Sequence, residues 1–291
     1  MVNLIPVRYN KLLYPYPIVP RMEEIAGHFD KSAIKPEMPF SLHTEYSNSS
    51  RKWSTELIQQ FPEIRSAVKD DIPKLWYSSE WAIEFAEFVR CLCNGHTPTV
   101  IEIHPPFKDY SSIDYFFSIY PIFENQIKSL YPDVQILIEN RCGTRYKGAR
   151  FALSTYLNLI DFSQKLDSMR LNLKLTLDVP QLFTAHGILD KNREKMMPLL
   201  DHLKAIRHNI YGIHLWGKSD GSRKIAHTGD LNSYFRSCPE MKSDFLKGLH
   251  ELLDDGFPRY FVPEVNNFDG KAQENLYSIV GDLTQSDFCF V

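Results

Sequence analysis

The chain has 291 residues, 43% hydrophobic and 24% charged, with a formal net charge of −3. This is the composition of an ordinary soluble globular protein with enough apolar material for a sizeable core, and it excludes a protein that binds polyanions over its whole surface. The five cysteines (Cys91, Cys93, Cys142, Cys238, Cys289) are scattered and lack zinc-finger spacing, which points to a reduced, cytoplasmic setting.

No basic region followed by an apolar stretch opens the chain, and no apolar run approaches about 18 residues, so neither secretion nor a membrane span is expected. Residues 2–8 read as a first strand, followed by the Tyr- and Pro-rich YNKLLYPYPIVP, and residues 21–30 read as a short helix. Residues 39–43 form a strand ending at His43, and residues 49–95 are helical in bulk, with WAIEFAEFVRCL carrying apolar positions at helical spacing. Strands then alternate with helices: strands at 99–104, 134–139, 173–178, 210–214 and 260–264, and helices near 115–130, 148–166, 190–207 and 243–254. A helix or tail closes the chain. There is no internal repeat or linker, so residues 1–291 read as one domain. The pattern is that of a TIM-type barrel of α/β class, but it supplies seven strands where a closed barrel needs eight. A seven-stranded or incompletely closed barrel is therefore expected.

The strand ends carry the chemistry. VIEIH ends at His104, ILIE at Glu139, LKLTLD at Asp178, IYGIH at His214 and YFVPE at Glu264, about 35–50 residues apart. A βα unit takes about 30 residues or more, and in an α/β barrel all such C-terminal ends converge on one face. Imidazole and carboxylate are ligands for Zn or Mn, so His43, His104, Glu139, Asp178, His214, His227 and Glu264 form a candidate metal set. Seven ligands are enough for two ions sharing one carboxylate, an arrangement that binds both oxygens of a phosphoryl displacement. One ion with two carboxylates suits proton transfer next to a sugar carbonyl equally well.

Arg141, Arg145, Lys147 and Arg150 follow Glu139, and Lys218, Arg223 and Lys224 follow His214. Cations there suit a phosphate-bearing substrate, although solvated loop charge explains them as readily. Tyr46 and Trp216 follow metal-candidate histidines and are placed either to stack on a base or sugar ring or to cap the barrel mouth.

With these residues in hand, the chain resembles the xylose isomerase-like TIM-barrel superfamily, and within it the endonuclease IV and UV damage endonuclease branch. Leu42-His43-Thr44-Glu45-Tyr46, Ile103-His104-Pro105-Pro106, Ile138-Glu139-Asn140 and Leu177-Asp178 are similar to that branch's strand ends. So are Ile213-His214, the loop to His227, and Pro263-Glu264. The resemblance implies one ion held by His43, His104 and Glu139, and another held by Glu139, Asp178, His214 and Glu264. It also implies that the N-terminal strand corresponds to the family's second, with the first βα unit missing. Two positions depart from the branch: Gln181 and Ile225 stand where its third metal has a histidine and an aspartate. The resemblance implies a metal-dependent phosphodiesterase acting on damaged DNA, with Glu139 and Glu264 catalytic and Tyr46, Arg141, Arg145, Trp216, Lys218 and Arg223 on the substrate. The alternative is a divalent-metal sugar or sugar-phosphate isomerase or epimerase.

Overall fold

The protein is seen in a computed structural model that describes residues 1–47, 49–142, 149–218, 226–268 and 270–291. Eight parallel strands close into a barrel with helices between them. They are β1 (Val2–Arg8), β2 (Met22–Gly27), β3 (Phe40–Thr44), β4 (Val100–Ile103), β5 (Gln135–Glu139), β6 (Lys174–Asp178), β7 (Ile210–Leu215) and β8 (Arg259–Pro263). They are neighbours in chain order, and β8 returns to β1 with Arg259, Tyr260 and Phe261 opposite Leu4, Ile5 and Pro6. A further strand, β9 (Phe288–Phe290), pairs with the first half of β1, whose second half pairs with β2.

The TIM-type barrel expected from the sequence is therefore present, and the count of seven strands with a missing first unit is corrected to eight. The strand not foreseen is β2, MEEIAG, in the segment read as a short helix. Met, Glu and Ala favour helices in isolation. Tertiary pairing overrides that preference, because Glu23 meets Arg8 across the β1–β2 register, with Oε2 2.5 Å from Nη2.

Seven longer helices accompany the strands: α1 (Ser79–Cys93), α2 (Ile113–Leu130), α3 (Tyr156–Met169), α4 (Val179–His186), α5 (Met196–Leu203), α6 (Glu240–Leu253) and α7 (Ala272–Gln285). The segment read as helical in bulk holds only two short helices and a small hairpin before α1. No helix among the described residues is long and apolar enough to cross a membrane.

The chain divides into two compact units, one of residues 1–24, 155–160 and 175–291, the other of 25–154 and 161–174. In the second unit, Ser78 and Ser112 cap α1 and α2 by accepting from the backbone N–H of Trp81 and Tyr115, each supporting a helix start by about 1 kcal/mol. The facing sides of these helices enclose Trp76, whose ring lies 5.0 Å from Phe116, 5.3 Å from Trp81 and 5.4 Å from Phe123. Its indole N–H donates to the backbone carbonyl of His104 at 2.6 Å, so the aromatic core reaches directly to a candidate ligand.

In the first unit, Gly212 on β7 allows close approach to β6. A Cβ there would sit 2.5 Å from Thr176 Oγ1. Arg259 anchors the opposite end of β8, fully buried and donating to the carbonyls of Ile210 and Leu253 and to the Asp255 carboxylate.

Candidate metal centre

In the second unit, β3, β4 and β5 deliver His43, Glu102, His104 and Glu139, all buried, with one ligand atom from each within 4.8 Å of the others. The β3–β4 register sets His43 opposite Glu102, and His104 follows two residues later on the same side of the pleat. The His43 and His104 rings stack at 4.7 Å. His104 Nδ1 lies 3.2 Å from the Glu45 carbonyl, and its Nε2 lies 2.8 Å from Glu139 Oε2. Burial, with the nearby His43 and Arg141, pushes the His104 imidazole well below its usual range, so the ring is neutral.

A neutral ring that donates from Nδ1 to a carbonyl presents the Nε2 lone pair to the carboxylate. Two lone-pair atoms that close repel unless they share a cation. Adjacent ligands on an ion with bonds of about 2.0–2.1 Å stand about 3 Å apart, so this pair fits one coordination sphere. His43 Nε2 is 3.8 Å from the same Glu139 oxygen, and His43 Nδ1 is 3.6 Å from Glu102 Oε1. The donor set fits a divalent cation.

Arg141, expected on the substrate, is turned inward. It is 7% exposed, and its Nη1 donates to Glu139 Oε1 at 3.0 Å. Its guanidinium lies 5.2 Å from the centre of the Tyr46 ring, and so does that of Arg51. Arg51 forks onto Glu45, with Nε 2.6 Å from Oε2 and Nη2 2.7 Å from Oε1. Glu45 also accepts from the backbone N–H groups of Phe29, Tyr46 and Ser47. Burial alone would raise the Glu45 carboxyl, but the Arg51 fork outweighs it and holds it below its usual range. Tyr46 is half-buried, edge-on to His28 at 4.6 Å.

In the first unit, Glu264 sits between two imidazoles, with Oε1 3.3 Å from His214 Nδ1 and Oε2 3.1 Å from His227 Nδ1. Burial pushes its carboxyl up, yet the two histidines together bring it well below the carboxylate range. His227 has a left-handed backbone, φ 60°, unusual for a non-glycine residue. Asp178, fully buried, caps α4 and accepts from the Gln181 backbone N–H at 2.9 Å, the Gln181 side-chain amide at 2.9 Å and the Trp216 indole N–H at 3.0 Å. These three bonds fix its rotamer. Trp216 is itself buried and packs on His227 at 4.2 Å. Lys218 lies over the Tyr234 ring at 5.6 Å.

The structure thus gathers His43, His104, Glu139, Arg141 and Tyr46 in one unit and Asp178, His214, Trp216, His227, Glu264 and Lys218 in the other. Arg145 and Arg223 lie outside the described residues. Sequence reading missed Glu102, Glu45 and Arg51. The signal for Glu102 was available: a charged residue inside a β-branched run, two before His104, is placed inward with it.

The sequence matches no family model and no curated protein. Solved structures do resemble the fold. D-allulose 3-epimerase from Methylomonas sp. in complex with D-allulose aligns with TM-score 0.52 at 12% identity over 98% of each chain. The same enzyme with additional C-terminal residues aligns with TM-score 0.50 at 11% identity, covering 98% of this chain and 99% of that one. A xylose isomerase domain protein from Planctomyces limnophilus gives TM-score 0.48 at 10% identity, covering 98% of this chain and 96% of that one. At these identities the likeness is one of fold, a TIM barrel.

Proposed function

We propose that the protein is a divalent-metal-dependent isomerase or epimerase of a small sugar or sugar phosphate, with Glu139, Asp178, His214 and Glu264 at four strand ends as its core ligand and proton-transfer set. The observation that carries this reading over the phosphodiesterase is the use made of Gln181. A third-metal site needs a ligand there, whereas the Gln181 amide donates to Asp178 Oδ2 and serves to orient that carboxylate. Two of the described cations support the same choice, since Arg141 is committed to Glu139 and Lys218 lies over Tyr234. The fold shared with a D-allulose epimerase is compatible with this class.

A bound divalent cation would polarise a carbonyl and its neighbouring hydroxyl, acidifying the carbon between them. Glu264 takes the proton from that carbon, its charge held by His214 and His227. Glu139 is the second carboxylate, available to return a proton or to hold the substrate hydroxyl. Asp178 is held in a fixed orientation by three donors.

The test is incubation of Mn²⁺-loaded protein with a panel of ketoses, aldoses and their phosphates in ²H₂O. The expected outcome is an isomerised or epimerised sugar carrying deuterium next to its carbonyl, slowed about 10²–10⁴-fold in Glu264→Gln. Nicking of an abasic or UV-damaged duplex, with no exchange into any sugar, would restore the phosphodiesterase reading.

A further inference from the structure

A cavity of about 330 Å³ opens in the first unit between α4 and the short helix Leu231–Tyr234, and its lining includes none of the candidate metal ligands. That volume lies at the small end of the range usual for sites that take a small molecule, about 300–1,000 Å³. Both walls are fixed by the chain itself. Gly187 closes α4 in the left-handed conformation, φ 61°, which turns the backbone so that the Ile188 N–H donates to the Phe183 carbonyl at 3.1 Å. On the other wall, Asp230 caps the short helix by accepting from the Ser233 N–H at 2.8 Å. The Tyr234 hydroxyl donates to the Pro180 carbonyl at 3.3 Å and so ties that helix to α4.

The lining combines three kinds of group. Phe183, Ile188 and Tyr234, all buried, offer apolar surface. Thr184 and Ser233 commit their hydroxyl protons to the carbonyls of Pro180 and Asp230, at 2.8 and 2.7 Å. Toward a ligand these two oxygens therefore act as acceptors, and the Asp190 carboxylate adds another. Lys218 and Arg236 are the cations, two against the single carboxylate of Asp190, so the lining carries an excess of positive charge. Among the described residues Lys218 pairs with no carboxylate, and its ammonium stands 5.6 Å from the centre of the Tyr234 ring. A ring face attracts an ammonium without neutralising it, which leaves the charge for an anion.

A phosphorylated polyol matches all three: a dianion for the cations, hydroxyls for the acceptors and C–H faces for the apolar wall. We propose that this cavity is a binding site for a small sugar phosphate, with Lys218 and Arg236 on the phosphate and Thr184, Ser233 and Asp190 on the hydroxyls. The site is a second one, beside that of the metal. Tyr234 meets Trp216 edge-on at 6.1 Å, and it is Trp216, itself buried, that donates to Asp178. A ligand in the cavity touches Tyr234 and not Asp178, and it binds with no metal ion present. This goes beyond the proposed activity, whose substrate meets the metal ligands.

The experiment is calorimetric titration of the metal-stripped full chain with glucose 6-phosphate, glucose and inorganic phosphate in turn, at fixed ionic strength, with folding checked by circular dichroism. Glucose 6-phosphate is expected to bind saturably, and glucose and inorganic phosphate at least about 10-fold more weakly, since each satisfies only part of the lining. Lys218→Met and Arg236→Met are each expected to weaken glucose 6-phosphate at least about 10-fold. Ser237→Trp, which fills the cavity and leaves both cations in place, should abolish binding. The protein is free of metal throughout, so failure here leaves the proposed isomerase activity standing, and failure of that activity leaves this site standing. No saturable binding of glucose 6-phosphate by wild type would overturn the site. So would equal affinity in all the folded variants, or inorganic phosphate bound as tightly as glucose 6-phosphate.

Discussion

Glu139 and Glu264 are the same residue at the ends of two strands of one barrel, and they are held in opposite ways. Glu139 pairs with a guanidinium, braced by an aromatic ring and a second buried ion pair. Glu264 pairs with two imidazoles, one of them on a strained left-handed backbone and a quarter exposed. A guanidinium keeps its charge at every accessible pH, and this one is packed among aromatic rings, whereas one of the imidazoles on Glu264 is partly exposed. The surroundings of Glu139 are therefore the more firmly packed of the two.

If the surroundings of Glu139 are the rigid ones, the largest stability loss should come from their brace. Replacing Arg51 by Met strands Glu45, a fully buried carboxylate, without its cation, and breaking such a pair costs about 3–5 kcal/mol. Urea unfolding of Arg51→Met should show that loss, and a change below about 1 kcal/mol would mean the brace is dispensable.

His28, beside Tyr46 in the same surroundings, supplies a pH handle. Burial, its largest influence, lowers its imidazole to about 4. Between about 4 and the unfolded value near 6.5 the unfolded chain binds the extra proton, so stability rises with pH there. The contribution, about 3 kcal/mol, is complete above 6.5 and lost as pH falls towards 4. His28→Phe should flatten the stability profile across that window, and an unchanged slope would remove His28 from the account.

The surroundings of Asp178 rest on neutral donors, so smaller effects are expected. Trp216→Phe keeps the packing on His227 but deletes the indole donor to Asp178, a loss of about 1–3 kcal/mol in thermal or chemical melts. Lys218→Met should cost least, about 0.5–1 kcal/mol, since its contact with Tyr234 is a partly exposed cation–π pair. An Lys218→Met penalty exceeding that of Arg51→Met would reverse the comparison.

The sequence made the strand ends legible because an alternating apolar run that stops on an imidazole or carboxylate has a topological meaning in a barrel. Hence His43, His104, Glu139, Asp178, His214 and Glu264 all stand at or just beyond the ends of β3 to β8. The strand β2 was hidden because MEEIAG has helix-favouring residues and its strand state depends on the Arg8–Glu23 pair and on its neighbours. The second half of the site was hidden for another reason. Whether Arg141, Trp216 and Gln181 face a substrate or an adjacent carboxylate is decided by rotamer and packing, to which residue spacing is blind. All three turned to carboxylates, which moved the reading from a DNA-holding surface to an internally braced ligand set.

The activity proposed for this protein requires that its strand-end carboxylates and imidazoles bind a divalent ion. Calorimetric titration of the metal-stripped protein with Mn²⁺ measures that binding. Saturable binding of at least one ion per chain is expected, weakened at least about 10-fold in Glu264→Gln and again in Asp178→Asn, which keeps the size of the side chain while its charge is lost. No saturable binding by wild type, or equal affinity in all three proteins, would contradict it.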